Sequence, residues 1–195
     1  MIRRFTTLCK AILDNLSDED IFLKATDEFR HHGEKCPCCG AVGKLSPYGG
    51  YSRNLVSHKN RITIESRVRP LRFKCASCRA THAILPDILI PYSQYSLRFM
   101  LTVLLAYFKR DKTVVAICER FGIAVSTLYA WKERLLKHKE LLLGVILNRK
   151  QPARTFLQNL FGSADISDRL LYFFNQYAFS FLQNQPIAAT CSPPP

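Results

Sequence analysis

Cys36-Pro37-Cys38-Cys39-Gly40 and Cys75-Ala76-Ser77-Cys78 decide how the middle of this chain folds. Each contains a C-x2-C pair. A tight turn with that spacing presents two thiolates about 3.5 to 4 Å apart, and two such turns meeting at a hairpin end close a tetrahedral four-sulfur site suited to zinc. The spacing predicts one structural zinc held by Cys36, Cys39, Cys75 and Cys78, with no coordination position left for water or substrate. Two alternatives stay open at this level: Cys38 could pair with Cys36 in place of Cys39, and His31, His32 or His82 could replace a cysteine.

Between the two pairs the chain alternates. Gly40, Gly43, Gly49 and Gly50 mark turns, and Ile62, Ile64, Val68, Leu71 and Phe73 interleave with Arg61, Glu65, Arg67, Arg69, Arg72 and Lys74. That period predicts half-buried antiparallel strands with a charged outer face. A zinc ribbon over residues 34–82 is too small to bury much core, so the metal supplies the missing stability. Residues 81–96, with Pro86 and Pro91, read as an extended connector.

Helical periodicity returns in pieces near 96–109, 112–121 and 125–147. Thr113 to Trp131 reads TVVAICERFGIAVSTLYAW. Cys118 supplies a small residue, Phe121 an apolar one, Gly122 a turn, and Ile123, Leu128 and Trp131 the anchors of a second helix, which predicts a helix-turn-helix domain over 93–150. In that arrangement Val125, Ser126, Thr127, Tyr129, Ala130 and Glu133 lie nearest base edges, and Lys132, Arg134, Lys137 and Lys139 nearest phosphates. None of the forward positions carries the Arg, Asn or Gln that makes bidentate base contacts.

The flanks read as helical. Ile2, Phe5, Leu8, Cys9, Ile12, Leu13 and Leu16 recur at helical spacing, and Ser17 with Asp20 forms a capping box for a second helix, so residues 1–33 are expected to form a helical hairpin. Residues 151–195 hold an aromatic-rich helical stretch over 152–184 and a proline-rich tail. Its Asp165 and Asp168 suit helix capping. Leu170, Leu171, Phe173, Phe174, Tyr177, Phe179, Phe181 and Leu182 suit core packing, or a face for a homodimer or a separate protein partner. The expected class is α+β: a small antiparallel ribbon, then an all-α domain, with helices at both ends.

Lys and Arg outnumber Asp and Glu by 28 to 15 in 195 residues, giving a formal net charge of +13. The surplus is +9 over residues 30–82 and +6 over 83–150, while residues 1–29 sum to −2. A polyanion should therefore meet the middle of the chain. The apolar run Phe99–Phe108 is about half the roughly 20 residues that cross a bilayer, and Lys10 interrupts the apolar start, so neither a membrane span nor a signal peptide is expected. A reducing cytoplasm follows, where cysteines serve as ligands rather than disulfides. There is no Ser/His/Asp or Cys/His set and no phosphate-binding glycine loop, so no enzyme is expected.

The order of CPxCG knuckle, basic hairpin, second C-x2-C pair and a helix-turn-helix ending in Leu128-Tyr129-Ala130-Trp131 resembles the N-terminal DNA-binding part of bacterial insertion-sequence transposases, and a related transposase-like family. The resemblance covers about residues 34–137. It implies double-stranded DNA as partner, Cys36, Cys39, Cys75 and Cys78 as zinc ligands, and contacts from the helix near Val125. The strand-transfer chemistry of those enzymes needs three carboxylates on a ribonuclease-H-like fold, and beyond Glu140 this chain has only Asp165 and Asp168. The expectation is a zinc-containing DNA-binding protein of mobile-element type without catalysis. A transcriptional regulator built from the same modules, or a protein-interaction scaffold, is the alternative.

Overall fold

Ser17 and Asp20 form the expected capping box: the Asp20 N–H donates to Ser17 Oγ and the Ser17 N–H to the Asp20 carboxylate, both at 3.0 Å. They start α1 (Asp18–Asp27). The structure, a computed structural model, describes residues 2–4, 16–163 and 165–184. Its strands are β1 (Ile2–Arg4), β2 (Leu45–Gly50), β3 (Arg53–Lys59), β4 (Ile62–Val68), β5 (Leu71–Cys75) and β6 (Thr81–Pro86). The remaining helices are α2 (Leu97–Lys109), α3 (Val114–Phe121), α4 (Val125–Lys150), α5 (Ala153–Gly162) and α6 (Ile166–Tyr177). The class is α+β.

Four strands form one sheet in the order β1-β6-β5-β2, with β1 parallel to β6 and the other pairs antiparallel. Two sequence expectations change. Ile2 lies in a strand opposite Ile84 rather than in a helix. There it joins a small core with Phe29, Cys36, Leu45, Phe73, Cys75 and Ile84. Spacing counts apolar residues and cannot register the open edge of β6. Phe5, Leu8, Cys9, Ile12 and Leu13 lie outside the described residues. The supposed connector 81–96 is a buried strand followed by a turn in which Ile88, Leu89 and Ile90 are at most 1% exposed. Pro86 sits at the strand end, where its missing N–H breaks no ladder.

The hairpin β3–β4 stands apart from that sheet. Leu55, Val56 and Val68 pack into the larger helical core, while Ile62 and Ile64, expected to face inward, are 64% and 39% exposed. Period-two alternation specifies a face without specifying which core that face meets.

Ser96 caps α2, accepting from the Phe99 N–H, and Thr113 caps α3, accepting from the Ala116 N–H. Gly122 ends α3 with φ 65, a left-handed geometry that favours glycine. From there α4 departs at 102°. Phe99 is completely buried, edge-on to Phe121 and Trp131 with ring centroids 5.9 and 6.1 Å away. Among the described residues no single helix is long and apolar enough to cross a membrane.

α4 leaves helical geometry at Gly144, and the helical stretch expected over 152–184 comprises two helices and a reversal. Asp165 occupies the N-cap position of α6 without a side-chain capping bond, and Asp168 lies in the first turn. Ala178, left-handed at φ 57, turns the chain so that Phe181 and Leu182 return to the core. The Leu182 N–H donates to His138 Nδ1 at 2.9 Å, and Phe173, Phe179 and Phe181 surround that imidazole.

Two predictions follow from this packing. Trp131→Ala should cost about 3 to 5 kcal/mol in chemical denaturation, because the indole is 3% exposed. Desolvation, reinforced by Lys137 and Arg134, lowers His138 from the ordinary imidazole value of 6.5 to about 4. The unfolded chain therefore binds the proton first. Stability present at neutral pH should be lost as pH falls from 6.5 toward about 4, by about 3 kcal/mol. Denaturation at a series of pH values should show a shallower loss in His138→Gln, whose amide oxygen can accept the Leu182 bond.

Candidate metal centre

The two C-x2-C turns have the same backbone. In the first, the Cys36 N–H donates to the Ala41 carbonyl and the Gly40 N–H to the Cys36 carbonyl, each at 2.9 Å. In the second, the Cys75 N–H donates to the Ala80 carbonyl and the Arg79 N–H to the Cys75 carbonyl, again at 2.9 Å. The fourth residue after each leading cysteine is left-handed: Gly40 at φ 73 and Arg79 at φ 61. The Ala76 N–H bonds the Lys44 carbonyl, tying the second turn to the entrance of β2.

The Sγ atoms of Cys36, Cys39, Cys75 and Cys78 lie within 4.8 Å of one another. Cys36 to Cys78 is 3.6 Å and Cys39 to Cys75 is 3.7 Å. A tetrahedron with metal–sulfur bonds of about 2.3 Å has edges of roughly 3.8 Å, so the four sulfurs can hold a metal ion. Cys38 is outside the group: its N–H points at Cys36 Sγ, 3.4 Å away. His82 is also outside it, with Nε2 3.2 Å from Cys36 Sγ, in position to orient that ligand rather than replace it. His31 and His32 stack on each other, and His31 leans on Phe73.

The thiols are electrostatically unequal. The Cys78 N–H, joined by that of Ser77 and opposed by desolvation, lowers Cys75 to about 6. The Ala41 N–H pulls Cys39 down, but desolvation and the three neighbouring thiols together push it up to about 11. The Ala80 N–H acts likewise on Cys78, where desolvation and the thiols of Cys36 and Cys75 prevail, again giving about 11. The cluster accommodates one thiolate readily. Further thiolates require a cation among them.

The residues expected to meet a polyanion are scattered over several surfaces. Arg67 and Arg69 are exposed on either side of buried Val68. Arg72 and Lys74 are half-buried on β5, with their charges 5.7 and 5.2 Å from the Tyr48 ring centroid. Sequence reasoning passed over Tyr48, whose place opposite them depends on the β2–β5 register. On α4, Val125, Ser126 and Tyr129 are exposed and Thr127 is half-buried, while Leu128 and Trp131 are buried beneath them. Lys132 lies over the rings of Tyr107 and Tyr129. Arg134 donates to the Leu182 carbonyl at 3.5 Å. Lys139, read above as a phosphate contact, is buried.

Residues 36–131 match the family model of a domain of unknown function, DUF6431. The matched stretch begins on Cys36, the first cysteine of the cluster, and ends on Trp131. It thus takes in both knuckles, the β3–β4 hairpin and the first two turns of α4. No curated protein and no solved structure matches the chain.

Metal analysis of the purified chain should return about one ion per molecule. Cys75→Ser should lose it, and the small sheet should then unfold at a lower temperature than in the parent. Cys38→Ser and Cys118→Ala should retain the ion. Full metal content in Cys75→Ser would remove that residue from the site.

Proposed function

We propose that this chain is a zinc-containing protein that binds double-stranded DNA through a helix-turn-helix and has no catalytic activity of its own. The observation that carries the reading is the junction of α3 and α4. The helices meet at 102° across a left-handed Gly122, with Leu128 and Trp131 buried. Val125, Ser126 and Tyr129 are left exposed on the leading turns of the second helix. Helix-turn-helix pairs cross at about 90 to 120°, and the second helix enters the major groove N-terminus first.

The donor set supports zinc. Four thiolates at tetrahedral spacing favour this ion over the harder divalent metals and leave it no open position, so its role is to hold the ribbon together. Exposed Arg67 and Arg69, and Arg72 with Lys74 beside Tyr48, supply the charge for phosphate contacts; the forward positions of α4 are mostly uncharged. The order of modules fits the DNA-recognition part of a transposase, in which the bound site would be the end of a mobile element.

Duplex affinity measured across salt concentrations tests the reading: binding should weaken steeply, and a scaffold protein would show no such dependence. Replacing Arg67 and Arg69 together with Ala should lower the slope of log K against log salt by about 2, equally for every duplex. Replacing Ser126 and Tyr129 should leave the slope intact and narrow the gap between preferred and random DNA by about 1 to 3 kcal/mol per lost base contact.

A further inference from the structure

The β3–β4 hairpin is long and separate from the ribbon sheet, and its free end is pinned to the turn that starts α4. Along its length it runs past the helical core. At one end the Arg53 guanidinium bonds the carbonyls of Ile90 and Ser93. In the middle the Val56 N–H bonds the Gln94 carbonyl and the Val56 carbonyl accepts from the Ser96 N–H, beside the start of α2. At the other end Thr63 Oγ1 bonds the carbonyl of Phe121, 3.4 Å away, and the His58 ring lies 4.9 Å from that of Phe121. The tip beyond Thr63 therefore projects at the end of the helical unit where α3 stops and α4 begins.

The tip is tight. Lys59 pairs with Ile62, and the two residues between them, Asn60 and Arg61, are both left-handed at φ 52 and 66. That is the type I′ hairpin turn, whose second position favours glycine. An arginine in that strained position puts a cation at the outermost point of the hairpin. Ile62 beside it is 64% exposed, and Arg120 at the end of α3 is exposed nearby.

We propose that this hairpin is a wing, and that Arg61, flanked by Ile62, enters the minor groove adjacent to the major groove occupied by α4. The inference rests on the DNA-binding reading above. The spacing suits it. Arg61 is two strand residues, about 7 Å, beyond Thr63, and the four-residue step from Phe121 to Val125 spans at most about 14 Å. With roughly 8 Å more across the Thr63–Phe121 contact, the tip lies at most about 29 Å from the leading turn of α4, a reach that includes the half-turn of roughly 17 Å separating neighbouring grooves of B-DNA. A narrow A·T-rich minor groove attracts an arginine, and an apolar neighbour can rest against the sugars and base edges there.

The test uses full-length protein and a selected duplex whose flank, half a turn from the α4 contact, is A·T, G·C or inosine·cytosine. Inosine lacks the amino group that guanine places in the minor groove. The parent should bind the A·T and inosine flanks alike and the G·C flank about tenfold more weakly. Arg61→Asn, chosen because asparagine tolerates the left-handed backbone, should bind all three about equally and at the weaker level. Ile62→Ser should move part of the way, and melting curves should match the parent. Variants that bind like the parent would overturn the wing and leave the DNA-binding reading standing. So would a loss on Arg61→Asn that is the same for all three flanks in a parent blind to the flank, since that marks a phosphate contact. A parent that binds no duplex would overturn both.

Discussion

Four thiols held within 4.8 Å of one another, on two turns separated by 35 residues of chain, are the constraint from which the rest of this structure follows. Bringing Cys39 to Cys75 closes a long loop against its entropy, and the sheet that surrounds the site offers only a handful of buried apolar side chains in return. The four sulfurs are spaced so that they could hold a cation, which would supply what that core does not. The matched hydrogen bonds of the two turns place the backbone N–H groups of Ala41, Ala80, Ser77 and Cys78 where they favour thiolate over thiol.

With its two ends gathered at the metal site, the intervening chain must go out and return. It does so as β3–β4, which surrenders Leu55, Val56 and Val68 to the helical core. The sheet around the four sulfurs and the helices are therefore coupled through continuous strands rather than a loose tether, with β6 and the buried turn Ile88–Ile90 as the second connection. Burying side chains such as Phe99, Phe121 and Trp131 contributes about 1.5 to 3 kcal/mol each. It also settles which sides of α3 and α4 remain outside. Exposure of Val125, Ser126 and Tyr129 is the complement of that burial.

The C-terminal helices contribute a large share of the core. Phe156, Leu157, Leu160, Leu170 and Phe173 are buried, and the reversal at Ala178 returns Phe181 and Leu182 to α4. This closure turns Arg134 toward Leu182 and encloses His138, separating the second half of α4 from the first in chemical character. A neutral imidazole in that position makes the closure sensitive to acid, since protonating His138 would place a charge among aromatic rings.

Much of this was legible in the residues themselves where the physical cause is local. The C-x2-C spacing named all four cysteines whose sulfurs gather, because a tight turn brings its own two cysteines together whatever surrounds it. Ser17 and Gly122 marked helix ends, because capping and left-handed geometry depend on a few neighbouring atoms. The buried anchors Leu128 and Trp131 followed from helical period. What the sequence could not decide was which face meets which. The strand at Ile2 needed the edge of β6, the exposure of Ile62 and Ile64 needed the hairpin's departure from its sheet, and the choice of Cys39 over Cys38 and His82 needed both turns in one frame. Each of these depends on contacts between segments far apart in sequence, and periodicity carries no record of them; only the tertiary structure supplies the partner.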